Sequence, residues 1–587
     1  MSLFVVFIFG AVLLGAGAML SPAWRTAQPR IALSATLCLA LVTGGAVFYT
    51  EAFGWDTLVV DYLLFALLSG VVLGGTLSTA QARAEARGER LADQDQGWPG
   101  PEDLAFFALV ALIVIMPLFH LAAPLGAQGQ ITAFHSLTTR EGESFNLLAP
   151  FAPQSSVVTA PGFHALSAYL SLQLDHTIPL IQLSISAVVV FLLVWLAYDF
   201  GAELHDKRLG RSMAIALLLC FGIHRSFLDG HFSELLALLF LAAFLLYALR
   251  LLRQFNLTDL IAGGLMMGAV IITNLSLSLV AFFGFLSMLG VAWLDRHNAM
   301  TMKSRLGLTF GLPLVALLGI APWLIKNLPL MLPISPSPFT ADINNLIHMT
   351  RDQGYFILPL VFYGMWSSLR VNGPLRLVSL LMLTWLLLIV EASFTGALGS
   401  LIPPLGALTN APNLARHGPI LPYTWFAGLA LVKLWDAHVP TALKPGLRRS
   451  AYRFMALTAL LILLLGSAFQ PLLNAIRPVL DLPPAKITAD ELAAMTWLRE
   501  NTPTDALLLA ADGNAWLPIF AERPAHDFRA VRYFEWDVVQ RTNKELADVD
   551  YVYAPLGMDP PADFDLRLVY ERAGARVYGV ASGQDPP

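Results

Sequence analysis

Residues 178–199, IPLIQLSISAVVVFLLVWLAYD, carry a single charged side chain, Asp199, and it stands at their very end. About 20 mostly apolar residues are what a helix needs to cross a bilayer, and this stretch meets that length. Working outward, about fourteen such stretches can be marked, near 2–21, 31–50, 57–78, 104–126, 178–199, 212–228, 231–251, 257–274, 276–294, 306–326, 355–369, 377–397, 418–435 and 451–470. The first lacks a basic flank and a small-residue cleavage site, so it reads as a retained helix. Beyond them the chain becomes water-soluble in pattern. The order of parts predicts an all-α polytopic membrane domain of about 14 transmembrane helices followed by a small α/β extracytoplasmic domain.

Composition agrees. The chain is 56% apolar and 13% charged, well below the roughly 25% charged of a soluble domain. A net charge of −5 gives no basic footprint, so nucleic acid is not an expected partner. Cys38 and Cys220 both fall inside predicted spans and read as small buried apolar side chains. They supply no disulfide framework or zinc pattern, and nothing in the sequence specifies an oligomer.

Lysine and arginine alternate between loops. The set from Arg25 to Arg453 that includes Arg83, Lys207, Arg250, Lys303, Arg376 and Lys433 holds about twenty cations. The other set holds about five: Arg140, Arg225, Lys326, Arg351 and Arg416. Positive charge favours the cytoplasm, which places both termini outside it in a multi-pass protein of the cell (plasma) membrane. Residues 79–103 then form a charged cytoplasmic linker, while 127–177, 327–354 and 398–417 are long external loops. Their prolines and aromatics favour short helices on the membrane surface over disorder. The chain divides into an N-terminal three-helix unit with its linker over 1–103, a membrane domain over 104–484, and an α/β domain over 485–587.

The tail has its own signals. Thr488 with Glu491 three residues on has the spacing of a capping box, and Asn501-Thr502-Pro503 ends that helix. Ala506 to Ala511, Asp550 to Tyr553 and Arg567 to Tyr570 read as strands, and 531–539 is mixed. Asp512, His526 and Asp527 read as turn or surface residues.

Chemistry is expected at the external face, because polar groups inside a membrane are few here and costly to bury. Glu141 and Glu143 lie on one side of an extended segment, where they could share a divalent cation such as Mg²⁺ or Mn²⁺, or act as a base. His135 and His164 could donate to phosphate oxygens. Arg225, Asp229, His231 and Glu234 belong to the short outer turn after the sixth span, and Asp229 could instead cap the following helix. Arg140 belongs to the same outer group, and Arg351 is a candidate anion partner because guanidinium grips phosphate bidentately.

Three segments carry a resemblance to a known family. Ile131-Thr132-Ala133-Phe134-His135 sits where GT-C membrane glycosyltransferases of bacterial branches often place an acid four residues before a histidine. Pro161-Gly162-Phe163-His164-Ala165 resembles their P-G-F-H motif, and Leu492 to Pro503 is similar to the start of their outer domain. The resemblance implies transfer of a sugar from a polyprenyl-phosphate donor to an acceptor on the extracytoplasmic face, with a loop acid as base. Ile131 occupies the acid's position, so catalysis is expected to use Glu141, Glu143 or another carboxylate, or to be absent.

Two other readings compete. A catalytically inactive GT-C-like scaffold or partner subunit is favoured by Ile131. A lipid or solute transporter would need polar residues deep in the spans and an internal repeat, and neither is visible.

Overall fold

Apolar helices this numerous must bury against one another or against lipid, and the computed structural model shows both. It describes residues 2–20, 30–58, 101–119, 121–148, 151–156, 158–294, 301–331, 342–355, 357–368, 374–394, 411–438, 487–512, 516–526, 548–562 and 564–580, with Arg370 and scattered residues between 61 and 73.

Among the described residues seven helices are long and apolar enough to cross a membrane: Ile31–Phe53, Glu102–Phe119, Ile178–Leu204, Phe232–Arg253, Leu275–Leu294, Met302–Leu330 and Leu375–Phe394. The chain is thus a multi-pass membrane protein. Phe4–Leu20, Leu257–Thr273 and Ile357–Ser368 are shorter apolar helices at predicted spans, and Ile420–His438 is another helix so placed. The spans expected at 451–470 and over most of 57–78 lie outside the described residues.

One expected span departs from a straight rod. Residues 212–228 form parts of two helices, Lys207–Leu219 and Phe221–Asp229, bent by 49° at Cys220. The groups freed at the break find a distant partner: Phe221 N donates to Gln353 O at 2.9 Å, and Cys220 Sγ donates to Gln353 Oε1 at 3.1 Å. A helix break inside a bundle is tolerated when such partners exist.

Phe232–Arg253 is buried along almost its whole length and forms the bundle's axis. Ile178–Leu204 and Leu257–Thr273 pack on it, and Lys207–Leu219 packs on Ile178–Leu204 and Ile420–His438. The Ile31–Phe53 helix, expected within a separate N-terminal unit, packs against Ile178–Leu204, Leu257–Thr273 and Leu312–Met331. Ions pin it at one end. Glu203 takes two hydrogen bonds of 2.6 Å from Arg250, with Arg30 Nε 3.7 Å away. At the opposite end Glu51 pairs with Lys326 at 2.8 Å.

The first long loop folds back as two helices, Ala127–Gly142 and Gly162–Leu174, joined through a short antiparallel pair, Leu147–Leu148 with Ala152–Ser156. In the tail, Ala489–Asn501 starts with the expected capping box, Glu491 N donating to Thr488 Oγ1 at 3.2 Å and Thr488 N to Glu491 Oε2 at 2.7 Å. A four-stranded sheet follows. Its order is Leu508–Ala510, Tyr551–Ala554, Ala575–Val580, Leu566–Arg572, with only the first pair parallel. The last hairpin strand, Ala575–Val580, is an addition to those expected. Residues 531–539, Pro483, Pro484 and Asp527 lie outside the described residues.

The tail does not stand apart from the membrane part. Ala123, Ala133, Leu137 and Ile178 share one apolar cluster with Met495, Leu498, Trp516, Leu517 and Phe520. On the Ala127–Gly142 helix, Ala133, Leu137 and Arg140 recur at spacings of four and three, which puts them on one face.

Candidate functional site

The opposite face of that helix carries Gln128, Ile131, Thr132 and His135, and these line a cavity of about 210 Å³. The other walls come from distant parts of the chain: Thr159, Ala160 and His164, Ser233 and Glu234, the Thr273 to Ser276 turn, and Asn413. Three helices begin at or beside this cavity, Gly162–Leu174, Phe232–Arg253 and Leu275–Leu294. Their free N–H groups bias it toward electronegative ligand atoms.

Several buried contacts hold the helix in register. Gln182, on the Ile178–Leu204 helix, donates through Nε2 to Thr132 O at 3.1 Å and Ser136 Oγ at 2.8 Å. Its start is seated on the Asp229–His231 turn, where Leu125 N donates to Leu228 O at 2.8 Å. Gly230 adopts φ +87°, in the left-handed region where glycine carries no steric penalty. A side chain on Gly126 would run into the Asp229 carboxylate.

Glu234 is the one carboxylate among the described residues lining the cavity, and it is 2% exposed. It sits in the first turn of its helix, where the dipole favours negative charge. His231 Nδ1 lies 3.3 Å from Glu234 Oε1, and Ser233 Oγ donates to Glu234 Oε2 at 2.9 Å. His231 Nε2 meets Asp229 Oδ2 at 3.1 Å, so Asp229 fixes the imidazole rather than capping the next helix through its side chain. Arg416 Nη1 also touches His231 Nε2 and lies 3.4 Å from Asp229 Oδ2. Burial opposes charge on His231, but the Glu234 carboxylate and the hydrogen bonds to Asp229 and Glu234 outweigh it, raising its pKa despite Arg416.

Behind this turn stands a second ionic knot around Asp352, which is fully buried. Asp352 accepts from Arg225 and pairs with His348 Nδ1 at 2.7 Å. Arg416 Nε and Arg351 Nε lie 3.5 and 3.7 Å from it. Burial alone would raise its pKa, yet the hydrogen bond from His348 and the charges of Arg225 and Arg416 hold it below the usual carboxylate range. His417 packs on His231, ring centres 4.9 Å apart, and meets Ser226 Oγ at 3.0 Å. Burial and the neighbouring His231 push its pKa down to about 3.

His135 and His164 behave differently from a cationic pair. Their ring centres are 5.1 Å apart, and Ser136 Oγ lies 3.3 Å from His164 Nδ1. Burial takes His164 down to about 4, and burial together with His164 takes His135 well below its ordinary value. Both are neutral near pH 7 and offer hydrogen bonds rather than charge.

The structure therefore brings together His135, His164, Asp229 and His231 from the expected set, and places Arg351, half exposed, in the neighbouring Asp352 knot. Arg140, Glu141 and Glu143 fall elsewhere. Arg140 donates from Nε to Glu141 at 2.7 Å and reaches Glu522 at 2.8 Å. Glu141 and Glu143 are exposed, do not line the cavity, and Glu143 closes the helix with φ +50°. The carboxylate at the cavity is Glu234 instead, because the chain turns back after Glu141 into the Leu147–Leu148 strand. Of the two acids expected to share Mg²⁺ or Mn²⁺, Glu141 is engaged by Arg140. Among the described residues no three Asp, Glu, His or Cys side chains converge as metal ligands. Asp352, Arg416, Asn274 and Asn413 escaped sequence reasoning as site residues. Arg416 and Asn413 share one short helix, Ala411–His417, in an external loop marked as long, which was the available signal.

No protein-family model and no curated protein sequence matches the chain. Two crystal structures of ArnT from Cupriavidus metallidurans do match it in three dimensions. The one bound to undecaprenyl phosphate is 14% identical and the one in the apo state 15%, each with a TM-score of 0.52 over 82% of this chain and 99% of theirs. The fold of this chain, a polytopic membrane domain followed by a C-terminal domain, is therefore the GT-C fold that it shares with the glycosyltransferase ArnT.

Proposed function

We propose that the chain transfers a sugar from a polyprenyl-phosphate donor to an acceptor at the extracytoplasmic face, with Glu234 as the general base. The observation that carries this reading is a buried carboxylate in a polar cavity that also holds Ile131, the position where the family resemblance expects an acid. The acid is supplied from the facing helix rather than from the loop helix. In the reaction the acceptor oxygen bonds to the anomeric carbon, the bond from that carbon to phosphate oxygen breaks, and the acceptor proton passes to Glu234. The electron pair leaves with the polyprenyl phosphate. Arg416, held against His231, Asp229 and Asp352, and Arg351 on the same Asp352 carboxylate are the cations assigned to that leaving group, one layer behind Glu234.

The loop-charge asymmetry supports an orientation with the cavity and both termini outside the cytoplasm. The division at about residues 103 and 484 is part of the same proposal. Cysteine labelling of the tail from outside intact cells tests the orientation, and protection of the tail would reverse it.

The direct test is release of undecaprenyl phosphate from undecaprenyl-phosphate monosaccharides by the purified protein in lipid nanodiscs with envelope lipid as acceptor. Ile131 favours a second reading, an inactive lipid-binding subunit. That reading predicts binding of undecaprenyl phosphate with no release from any donor.

A further inference from the structure

Asp352 and Gln353 are consecutive in the chain and both are fully buried. The short turns before them, Ile343–Asn345 and Leu346–Thr350, are fastened to the bundle: Asn345 Nδ2 donates to Ser393 O at 2.8 Å, and Tyr423 Oη donates to Met349 O at 3.2 Å. From that base the two residues reach the same pair of helices, Phe221–Asp229 and Ala411–His417.

Asp352 grips side chains. It accepts from Arg225 of the first helix and lies 3.5 Å from Arg416 Nε of the second. Gln353 grips mainly backbone. Its Nε2 donates to Arg416 O and, at 3.2 Å, to His348 O, its Oε1 accepts from Cys220 Sγ at 3.1 Å, and its own carbonyl accepts from Phe221 N at 2.9 Å. Both ends of the carboxamide are thereby engaged, which fixes its orientation. Arg416 is held at two points by adjacent residues, through its guanidinium and through its carbonyl.

What this grip sets lies on the cavity side. Phe221–Asp229 ends in the carboxylate that meets His231 at 3.1 Å. Ala411–His417 carries Arg416, 3.4 Å from that carboxylate, and Asn413, which lines the cavity. Side chains that act at a site keep their geometry only where a supporting shell fixes them.

We infer that Gln353, together with Asp352, is a positioning residue that holds Arg416 in place for the lipid phosphate. This rests on the assignment of Arg416 to that phosphate in the glycosyltransferase reading, and adds the residues on which the cation's placement depends.

The test measures binding of undecaprenyl phosphate to the full-length protein in nanodiscs, with the melting temperature followed alongside. Gln353→Met keeps the length of the side chain and removes the hydrogen bonds of its amide, so affinity should fall about tenfold. Gly222→Ala disturbs the same amide from the other side, because a methyl group there would overlap Gln353 Oε1. The flexible end of Gln353 can give way, so this variant should fold and show a similar loss. Arg416→Ala supplies the background that separates positioning from general destabilisation. In that background Gln353→Met and Gly222→Ala should each change affinity by less than about twofold, since the group through which they act is gone. Fully additive losses there would make Gln353 a packing residue only and overturn the inference. Wild-type affinity in Gln353→Met overturns it as well, and wild-type affinity in Arg416→Ala overturns it together with the assignment of that cation. Release of undecaprenyl phosphate from a labelled donor separates the two proposals. Coupled losses of affinity without release by the wild type keep the positioning role and sink transfer, whereas release by the wild type with additive losses keeps transfer and sinks the positioning role.

Discussion

Arg140 Nη2 lies 2.8 Å from Glu522 Oε2, and this pair ties the helix that lines the cavity to the C-terminal segment. Arg140 stands across the helix from Ile131 and His135, so tail and cavity press on opposite faces of one element. Both charges are largely removed from water, which puts the pair between the exposed and the buried limits of ion-pair strength. A double-mutant cycle of Arg140→Ala and Glu522→Ala should therefore give a coupling of about 1–3 kcal/mol in thermal or denaturant unfolding of the purified protein. Additive effects of the two changes would show that the tail does not brace the helix through this pair.

The seat of the same helix is tighter still. A methyl group on Gly126 would overlap the Asp229 carboxylate, and overpacking of this kind costs about 1–3 kcal/mol or more. Gly126→Ala should lower stability and displace Asp229 from His231, reducing affinity for undecaprenyl phosphate. Leaving both stability and affinity intact would mean that the turn relaxes freely.

His231 sets a pH dependence whose sign follows from its surroundings. Its pKa is raised in the folded protein, so the stability it contributes is fully present below its unfolded value of about 6.5. That contribution is lost as pH rises through the raised folded value. Asp352 has a depressed pKa, so its contribution is present above about 3.9 and is lost as pH falls through its folded value. The melting temperature of the wild type should decline on the alkaline side of neutrality, and His231→Gln should flatten that decline. An unchanged profile in the variant would assign the decline to other groups.

Long apolar runs made the membrane architecture legible, since a stretch such as 178–199 has only one way to hide its backbone polar groups in lipid. The capping box at Thr488 was legible because all its partners lie within one turn. The break at Cys220 was not, because no glycine or proline marks it at that position and its compensating groups come from Gln353, far along the chain. The site was half legible. His135 and His164 stand in short recognisable segments, but Glu234 looks from sequence like an ordinary first-turn acid. Its setting appears only when the 127–142 helix, the 273–276 turn and the 411–417 helix converge on it. Glu141 lies in the loop where an acid was expected, but its side chain meets Arg140 and does not line the cavity.

The proposed reacting carboxylate is Glu234 and not Glu141 or Glu143. Single-turnover release of undecaprenyl phosphate from a radiolabelled undecaprenyl-phosphate sugar, compared across Glu234→Gln, Glu141→Gln and Glu143→Gln, tests it most directly. The expected result is a rate lowered about 10²–10⁴-fold in Glu234→Gln, with affinity for undecaprenyl phosphate retained, and rates close to wild type in the other two. Wild-type release by Glu234→Gln, with loss in Glu141→Gln or Glu143→Gln, would contradict the account.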